Sequence, residues 1–354
     1  MIPRHVFADG YSISRIIKGG WHLAGGHGTV DPAQAVSDMA AFLEAGVTTF
    51  DCADIYTGVE ELIGRFRREH PALARRLQVH TKFVPDLPDL ATVDGRYVER
   101  IIDRSLDRLG VERLDLVQFH WWDYAVPRHV EIATHLDRMR RAGKIARIGA
   151  TNFATTHLAE IVAAGVPVVA HQVQYSLLDD RPARRMVGFC REHGIALLCY
   201  GTVAGGFLSE RWLGAAEPRG ELANRSLVKY RLIIEDFGGW PLFQELLTVL
   251  AQIAARRDSD IASVATRAIL DRDQVAAAIV GATGVAHLPA HERAATLRLA
   301  DSDRAAIAAI TARRRGPDGD VYALERDRDG RHGRIMKYAL NAAPDGGSVA
   351  GGGR

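Results

Sequence analysis

VTTFDCADIY (Val47 to Tyr56), LQVHTKF (Leu77 to Phe83) and LDLVQFH (Leu114 to His120) follow one pattern. Each is an apolar run that gives way to a polar side chain where a loop begins. Runs of this length, bounded by polar segments, read as buried strands. The segments between them, Val59–Glu69 and Tyr97–Leu109, carry apolar residues at helical spacing. A strand, a helix and a further strand imply parallel pairing through a right-handed crossover.

The alternation continues outward in both directions. Upstream, a strand over Ile13–Ile17 precedes a helix over Pro32–Ala45 and a second strand over Val47–Cys52. Gln78–Phe83 and Leu114–His120 are the third and fourth strands. Downstream, strands are predicted over Ile145–Ala150, Val168–Val173, Ala196–Tyr200 and Ala276–Val280. Helices are predicted over Pro127–Ala142, Thr155–Ala164, Pro182–His193, Pro241–Arg257, Ile261–Asp271, His287–Ala295 and Ser302–Arg313. Eight strand–helix units in 354 residues predict a single α/β domain, a closed (β/α)8 TIM barrel. An open doubly wound sheet would carry a GxGxxG turn after its first strand. GGWHLAGGHGTVDP (Gly19 to Pro32) is glycine-rich, but Gly25, Gly26 and Gly28 do not form that motif.

Two stretches break the rhythm. Gly201–Trp240 is a long insertion after the seventh strand, amphipathic around Leu227–Phe237. Loops of that length in a compact domain are usually functional covers. The catalytic domain is expected to span residues 1–341 and to include a C-terminal extension, residues 316–341. Its Tyr322, Leu324, Ile335, Met336 and Tyr338 would let it pack on the barrel. Ala342–Arg354 is glycine-rich with little to bury, and is expected to be disordered.

Composition excludes several classes. With 47% hydrophobic residues, 25% charged residues and a net charge of +2, the chain reads as globular. Arginines are interleaved with acidic residues, so neither a nucleic acid nor a membrane surface is an expected partner. No run approaches the roughly 18 apolar residues of a membrane span. The N-terminus has no apolar h-region, so a cytoplasmic location is expected. Cys52, Cys190 and Cys199 lack metal-ligand spacing, as do His120 and His171, and no metal is expected.

Barrel enzymes carry their chemistry where strands end. Asp51 and Tyr56 follow the second strand, Lys82 ends the third and His120 ends the fourth. A phenol with pKa about 10 needs help to move a proton at neutral pH. Lys82 would lower its pKa, Asp51 would hold Lys82, and His120 would donate a hydrogen bond to a substrate oxygen. Each residue alone has a bland use: Asp as a cap, Tyr as packing, Lys as a solvated rim charge, His as a core residue. Their occurrence together at three consecutive strand ends points to a proton-transfer site. The lysine also leaves open a Schiff-base lyase or aldolase.

The chain resembles the aldo-keto reductase family. The resemblance lies in FDCADIYTGVEELIG (Phe50 to Gly64), HTKF (His80 to Phe83), LDLVQFHWWD (Leu114 to Asp123) and IGATNF (Ile148 to Phe153). It continues through HQVQYSLLD (His171 to Asp179), LLCYGTVAGGFLS (Leu197 to Ser209) and IVGATGVAHL (Ile279 to Leu288), covering about Ile13 to Ala312 in order. It implies a (β/α)8 barrel that binds an extended nicotinamide cofactor. It makes Asp51, Tyr56, Lys82 and His120 the catalytic tetrad, with Tyr56 as general acid. Thr151, Asn152 and Gln174 would hold the carboxamide, and Tyr200 would stack on the nicotinamide ring. Gly205, Phe207 and Leu208 would clasp the pyrophosphate, with Gly20 and Trp21 at the first strand's end. Gly281, Thr283, His287 and His291 would face the adenosine. Trp21, Trp121 and Trp122, with Tyr124 and Phe237, would form an aromatic substrate wall. NADP(H) is the implied cofactor, with NAD(H) the alternative, because Gly281–His287 carries no Arg or Lys and only His287, His291 and Arg293 lie near. The implied reaction is hydride transfer with a small carbonyl or alcohol; a non-catalytic, nicotinamide-binding regulatory relative is the other reading.

Overall fold

A computed structural model describes residues 2–25, 28–281 and 284–341. Its strands are Arg4–Val6 (β1), Ser12–Ser14 (β2), Ile16–Gly19 (β3), Thr49–Asp51 (β4), Gln78–Phe83 (β5), Leu116–Phe119 (β6), Ile148–Thr151 (β7), Val168–Gln174 (β8), Ala196–Tyr200 (β9) and Val275–Gly281 (β10). β3 to β10 close into the expected parallel barrel, in the order β10-β3-β4-β5-β6-β7-β8-β9. Around it run α1 (Pro32–Glu44), α2 (Val59–Glu69), α3 (Pro71–Ala74), α4 (Gly95–Leu109), α5 (His129–Arg141), α6 (Thr155–Ala163), α7 (Arg181–Arg184) and α8 (Met186–Glu192). They are followed by α9 (Arg225–Phe237), α10 (Trp240–Arg256), α11 (Ile261–Leu270), α12 (Leu288–Thr296), α13 (Asp301–Thr311) and α14 (Ala323–Arg326).

The first strand is not where the apolar run predicted it. Ser12–Ser14 pairs antiparallel with Arg4–Val6, outside the barrel. The barrel strand starts only at Ile16. Arg15 lies at the break, where its guanidinium donates to the carbonyls of Ala276, Leu270 and Val275 at 3.1, 2.6 and 2.9 Å. The hairpin forms a floor: Phe7, Tyr11 and Ile13 pack with Ile17, Leu116, Ala170, Ala196 and Leu198. Tyr11 Oη meets the buried His80 Nε2 at 3.1 Å.

Strand alternation sorts the interior into layers. Leu116, Ala170 and Leu198 belong to the floor. Two residues further along the same inward faces come Gln118, Gln172 and Tyr200, and then His120 and Gln174 at the ends of β6 and β8. The inside is therefore apolar at its base and polar at its C-terminal rim.

The long insertion after β9 is not open loop. It contains α9, capped by Asn224, whose side chain accepts from Leu227 N, and it buries Tyr230, Ile233, Ile234 and Phe237. The C-terminal extension packs along the rim. Asp320 accepts from the backbone and hydroxyl of Thr155 at 2.9 and 3.0 Å, capping α6. Arg326 donates to the Trp121 carbonyl at 2.9 Å, and Tyr338 O accepts from Leu87 N at 2.8 Å. Leu340 N and Asn341 N both donate to Asp86. The expected tail at Ala342–Arg354 lies outside the described residues.

Candidate active site

The ends of β4, β5 and β6 bring the four predicted residues together. Lys82 Nζ donates to Asp51 Oδ2 at 2.7 Å and to the Cys52 carbonyl at 2.8 Å. It also stands 4.8 Å from the centroid of the Tyr56 ring. Both ions of the pair are 5% exposed. Burial works against the lysine charge, but Asp51 and Tyr56 outweigh it and raise the pKa, so Lys82 stays an ammonium. The other oxygen of Asp51 accepts from Gln118 Nε2 at 3.0 Å and Gln172 Nε2 at 2.6 Å. A buried ion pair holds only when its remaining lone pairs are satisfied, and these two amides satisfy them. Sequence reasoning passed over Gln118 and Gln172. The available signal was parity, since each stands two residues before a predicted site residue on a strand.

Tyr56 is partly exposed and packs edge-on against Trp21, with ring centroids 5.1 Å apart. Burial raises its pKa, and the pull of Lys82 in the other direction is the smaller effect. The expected lowering is present as a force but not as the net result. Tyr56 is thus a neutral acid at pH 7.

His120 departs from expectation in polarity. Its Nδ1 faces the Thr151 carbonyl at 3.1 Å. A carbonyl only accepts, so Nδ1 carries the proton. Burial, aided by the Arg326 charge, lowers the pKa to about 3, which keeps the ring neutral. Nε2, buried and without a hydrogen-bond partner, is therefore an acceptor rather than the expected donor. It suits a hydroxyl better than a carbonyl oxygen.

The next strand ends form a second group. Tyr200 Oη donates to Asn152 Oδ1 at 2.9 Å. Asn152 has φ 60 and is not a helix cap; α6 begins at Thr155 and is capped by Asp320. Gln174 Nε2 donates to Asp179 Oδ2 at 2.6 Å, leaving Gln174 Oε1 buried without a partner. Thr151 Oγ1 is also buried and unpartnered. Buried polar atoms rarely lack partners, so orphans beside an aromatic face mark a place for a planar ring bearing an amide. That is the shape and polarity of a nicotinamide carboxamide, and these residues fit one. Lys229 Nζ lies 5.1 Å from the Tyr200 ring centroid.

The remaining predicted contacts are mixed. Gly20 N donates to Asp51 O at 2.7 Å, and a Cβ on Gly20 would sit 2.6 Å from that oxygen, so close strand packing alone demands glycine. Gly205 has φ +63 in the loop after β9. Phe207 and Leu208 are 0% exposed, backbone and side chain alike, so neither presents open surface to a ligand. Gly281 ends β10 and His287 follows in a short turn before α12, while Thr283 lies outside the described residues. His291 is buried, packs 5.9 Å from the Phe42 ring, and has its pKa lowered to about 4, mainly by burial. Arg293 is held by Asp260 Oδ2 at 2.7 and 2.9 Å.

The aromatic wall needs correction. Trp121 is 0% exposed, and its Nε1 donates to the Val126 carbonyl. His120 points inward, so its neighbour Trp121 points outward, into the layer with Phe119. Tyr124 stacks on His157 at 3.5 Å, and Phe237 is fully buried in α9. Trp122 does flank His120, edge-on at 4.3 Å. The extension adds a group that sequence reasoning did not place here: Tyr322, edge-on to His120 at 5.6 Å.

Among the described residues no three His, Cys, Asp or Glu side chains gather as a metal site requires. No described helix is long and apolar enough to cross a membrane. The three cysteines are buried and free.

Residues 15–312 match the family model described as "Aldo/keto reductase family". An aldo-keto reductase of Schizosaccharomyces pombe named for NADP(+) is 33% identical over 202 residues, 54% of this chain and 57% of that one. The NADH-specific methylglyoxal reductase of Escherichia coli is 23% identical, covering 82% of this chain and 93% of that one. Among solved structures, the glycerol dehydrogenase of Gluconobacter oxydans superposes with a TM-score of 0.75 at 22% identity, covering 90% and 97%. The chain spans 54–65% of the length of the first four curated relatives it matches.

Proposed function

The chain belongs to the aldo/keto reductase family, and from that premise we propose that it moves hydride between a nicotinamide cofactor and the carbonyl/alcohol pair of a small substrate. The carrying observation is the Asp51–Lys82 pair, 2.7 Å apart and buried, against the Tyr56 ring. When bound, NADP(H) or NAD(H) supplies or takes up the hydride. Thr151, Asn152 and Gln174 would hold its carboxamide, with Tyr200 behind the ring. Tyr56 gives its proton to the carbonyl oxygen during reduction and takes one from the alcohol during oxidation. Lys82 stabilises the phenolate left behind, and Asp51 keeps Lys82 aimed and charged. His120 Nε2 accepts from a substrate hydroxyl. Trp21, Trp122 and Tyr322 exclude water from the reacting oxygen. The substrate is an aldehyde, ketone or sugar small enough for that enclosure.

The two other readings have less support. A Schiff-base lyase needs Lys82 as a free amine, yet its raised pKa and its bonds to Asp51 and Cys52 O keep it charged and engaged. A purely regulatory nicotinamide binder has no use for a charged pair aimed at a phenol.

The test is Tyr56→Phe. Turnover of a carbonyl panel should fall by roughly two to four orders of magnitude, the usual worth of a general acid. Cofactor affinity, read from fluorescence, should stay unchanged. Retained turnover would remove Tyr56 from its role.

A further inference from the structure

One buried chain of charges leads from the C-terminal extension to the cofactor side of the site. Glu325, on α14, is 1% exposed. Its two oxygens meet Arg181 Nη1 at 3.1 Å and Nη2 at 3.3 Å. The other edge of that guanidinium holds Asp179, with Nε at 3.0 Å from Oδ1 and Nη2 at 2.7 Å from Oδ2. Asp179 Oδ2 then accepts from Gln174 Nε2 at 2.6 Å. Lys229 Nζ closes the group, 3.4 Å from Glu325 Oε1 and 5.1 Å from the Tyr200 ring centroid.

Each link constrains the next. A carboxylate only accepts, so Asp179 forces Gln174 to turn its amide nitrogen away from the cavity and present Oε1 instead. Asp179 is fully buried and can do this as an ion only beside Arg181. Arg181 in turn is fixed between two carboxylates. With Lys229 the set carries two positive and two negative charges, and so is neutral as a whole. Without Glu325, two cations would face one carboxylate in a dry space, and Arg181 would lose the partner that sets its angle on Asp179.

We propose that the C-terminal extension completes the nicotinamide end of the site, with Glu325 as the positioning residue that fixes the acceptor polarity of Gln174 through Arg181 and Asp179. The proposal rests on the reading of Gln174 as a carboxamide ligand. The same segment places Tyr322, three residues before Glu325, against His120. One short piece of chain thus touches both the cofactor side and the proton side of the site.

A network that merely anchored the extension would affect every ligand alike; a positioning network would affect only the nicotinamide half. The experiment titrates the full-length protein with NADH, NADPH and ADP-ribose, which keeps the pyrophosphate and adenosine but has no nicotinamide. Glu325→Gln keeps the shape and removes the charge. It should weaken both dinucleotides roughly tenfold, the worth of one charge-assisted hydrogen bond, and leave ADP-ribose affinity as in the parent. An equal loss for all three ligands, or none for any, would overturn the proposal. Gln174→Ala, measured alongside, separates the two levels: unchanged dinucleotide affinity there would reject the carboxamide assignment itself. If Glu325→Gln does not fold, Asp179→Asn reads the same chain from its other end, since an amide no longer dictates which way Gln174 turns.

Discussion

Tyr56 stands between two opposed forces, and pH separates them. Burial raises its pKa and Lys82 pulls it down, with burial the larger. Reduction uses the neutral phenol, which persists to high pH when the pKa is raised. Oxidation uses the phenolate, which becomes more abundant as pH rises. His120 titrates near 3 and so stays neutral through this range. The rate of reduction should therefore be flat from about pH 5 to 9, while the rate of oxidation climbs across the same interval. Lys82→Met removes the downward pull, so oxidation at pH 8 should suffer more than reduction; paired pH profiles of both directions check it. The adenosine end yields a second expectation. His291 is uncharged at neutral pH and Arg293 is engaged by Asp260, so neither is a ready cation for a 2′-phosphate. NADPH should gain little over NADH, less than the roughly tenfold that one good phosphate contact supplies, as parallel titrations would measure. The tetrad was legible because each member ends an apolar run. Gln118 and Gln172 were not, because parity with His120 and Gln174 puts them on the inward face but gives no role until Asp51 is known to lie opposite. The resemblance implies that both Trp121 and Trp122 line the pocket, although strand parity from His120 admits only one of them.

Elements follow the same logic one level up. Eight apolar runs were enough for a barrel, yet the first was placed too early. Ile13–Ile17 reads as one strand because nothing in it breaks β propensity; only the carbonyls waiting for Arg15 divide it between a floor hairpin and β3. The extension is legible as something that packs and could close over the pocket, from its Tyr and Arg content, but which of its residues reach the site is not. Its grip depends on partners as distant in sequence as Arg181 and Thr155. The loop after β9 is held differently. Gly201 and Gly205 have φ +78 and +63, and a Cβ on them would stand 2.4 Å from Tyr230 Oη and 2.7 Å from Tyr230 Cδ2. α9 therefore lies against bare backbone. Gly205→Ala should cost about 1–3 kcal/mol from strain and crowding together. It should also weaken cofactor binding, because displacing α9 moves the loop that would clasp the pyrophosphate. Thermal melts and cofactor titrations of that variant test both effects; a normal melt with normal affinity would mean that α9 does not brace the loop.

At the scale of the whole molecule, buried carboxyls of opposite character set how stability depends on pH. Glu325 is held at about 2: burial pushes its pKa up, but Arg181 and Lys229 outweigh it. An unfolded glutamate titrates near 4.3, so this group's stabilising contribution is complete above that value and is lost as pH falls towards 2. Asp54 is the reverse. It is buried behind the rim with Val84 N on one oxygen at 3.1 Å and no partner on the other. Burial, then the nearby Glu60, raise its pKa to about 8. Unfolded, it releases its proton near 3.9. Between those values the folded state holds a proton that the unfolded state has shed, so stability falls as pH rises from about 4 to about 8. Glu60, itself raised by burial, adds to the same slope. Acid thus weakens the charge network under the extension, and alkali weakens the packing behind Tyr56. Asp54→Asn keeps an oxygen for Val84 and removes the titration. Urea unfolding from pH 4 to 9 should show the variant gaining stability over the parent steadily up to about pH 8, by several kcal/mol, and matching it near pH 4. A constant difference across that range would mean that Asp54 is ionised in the fold and compensated by Arg104.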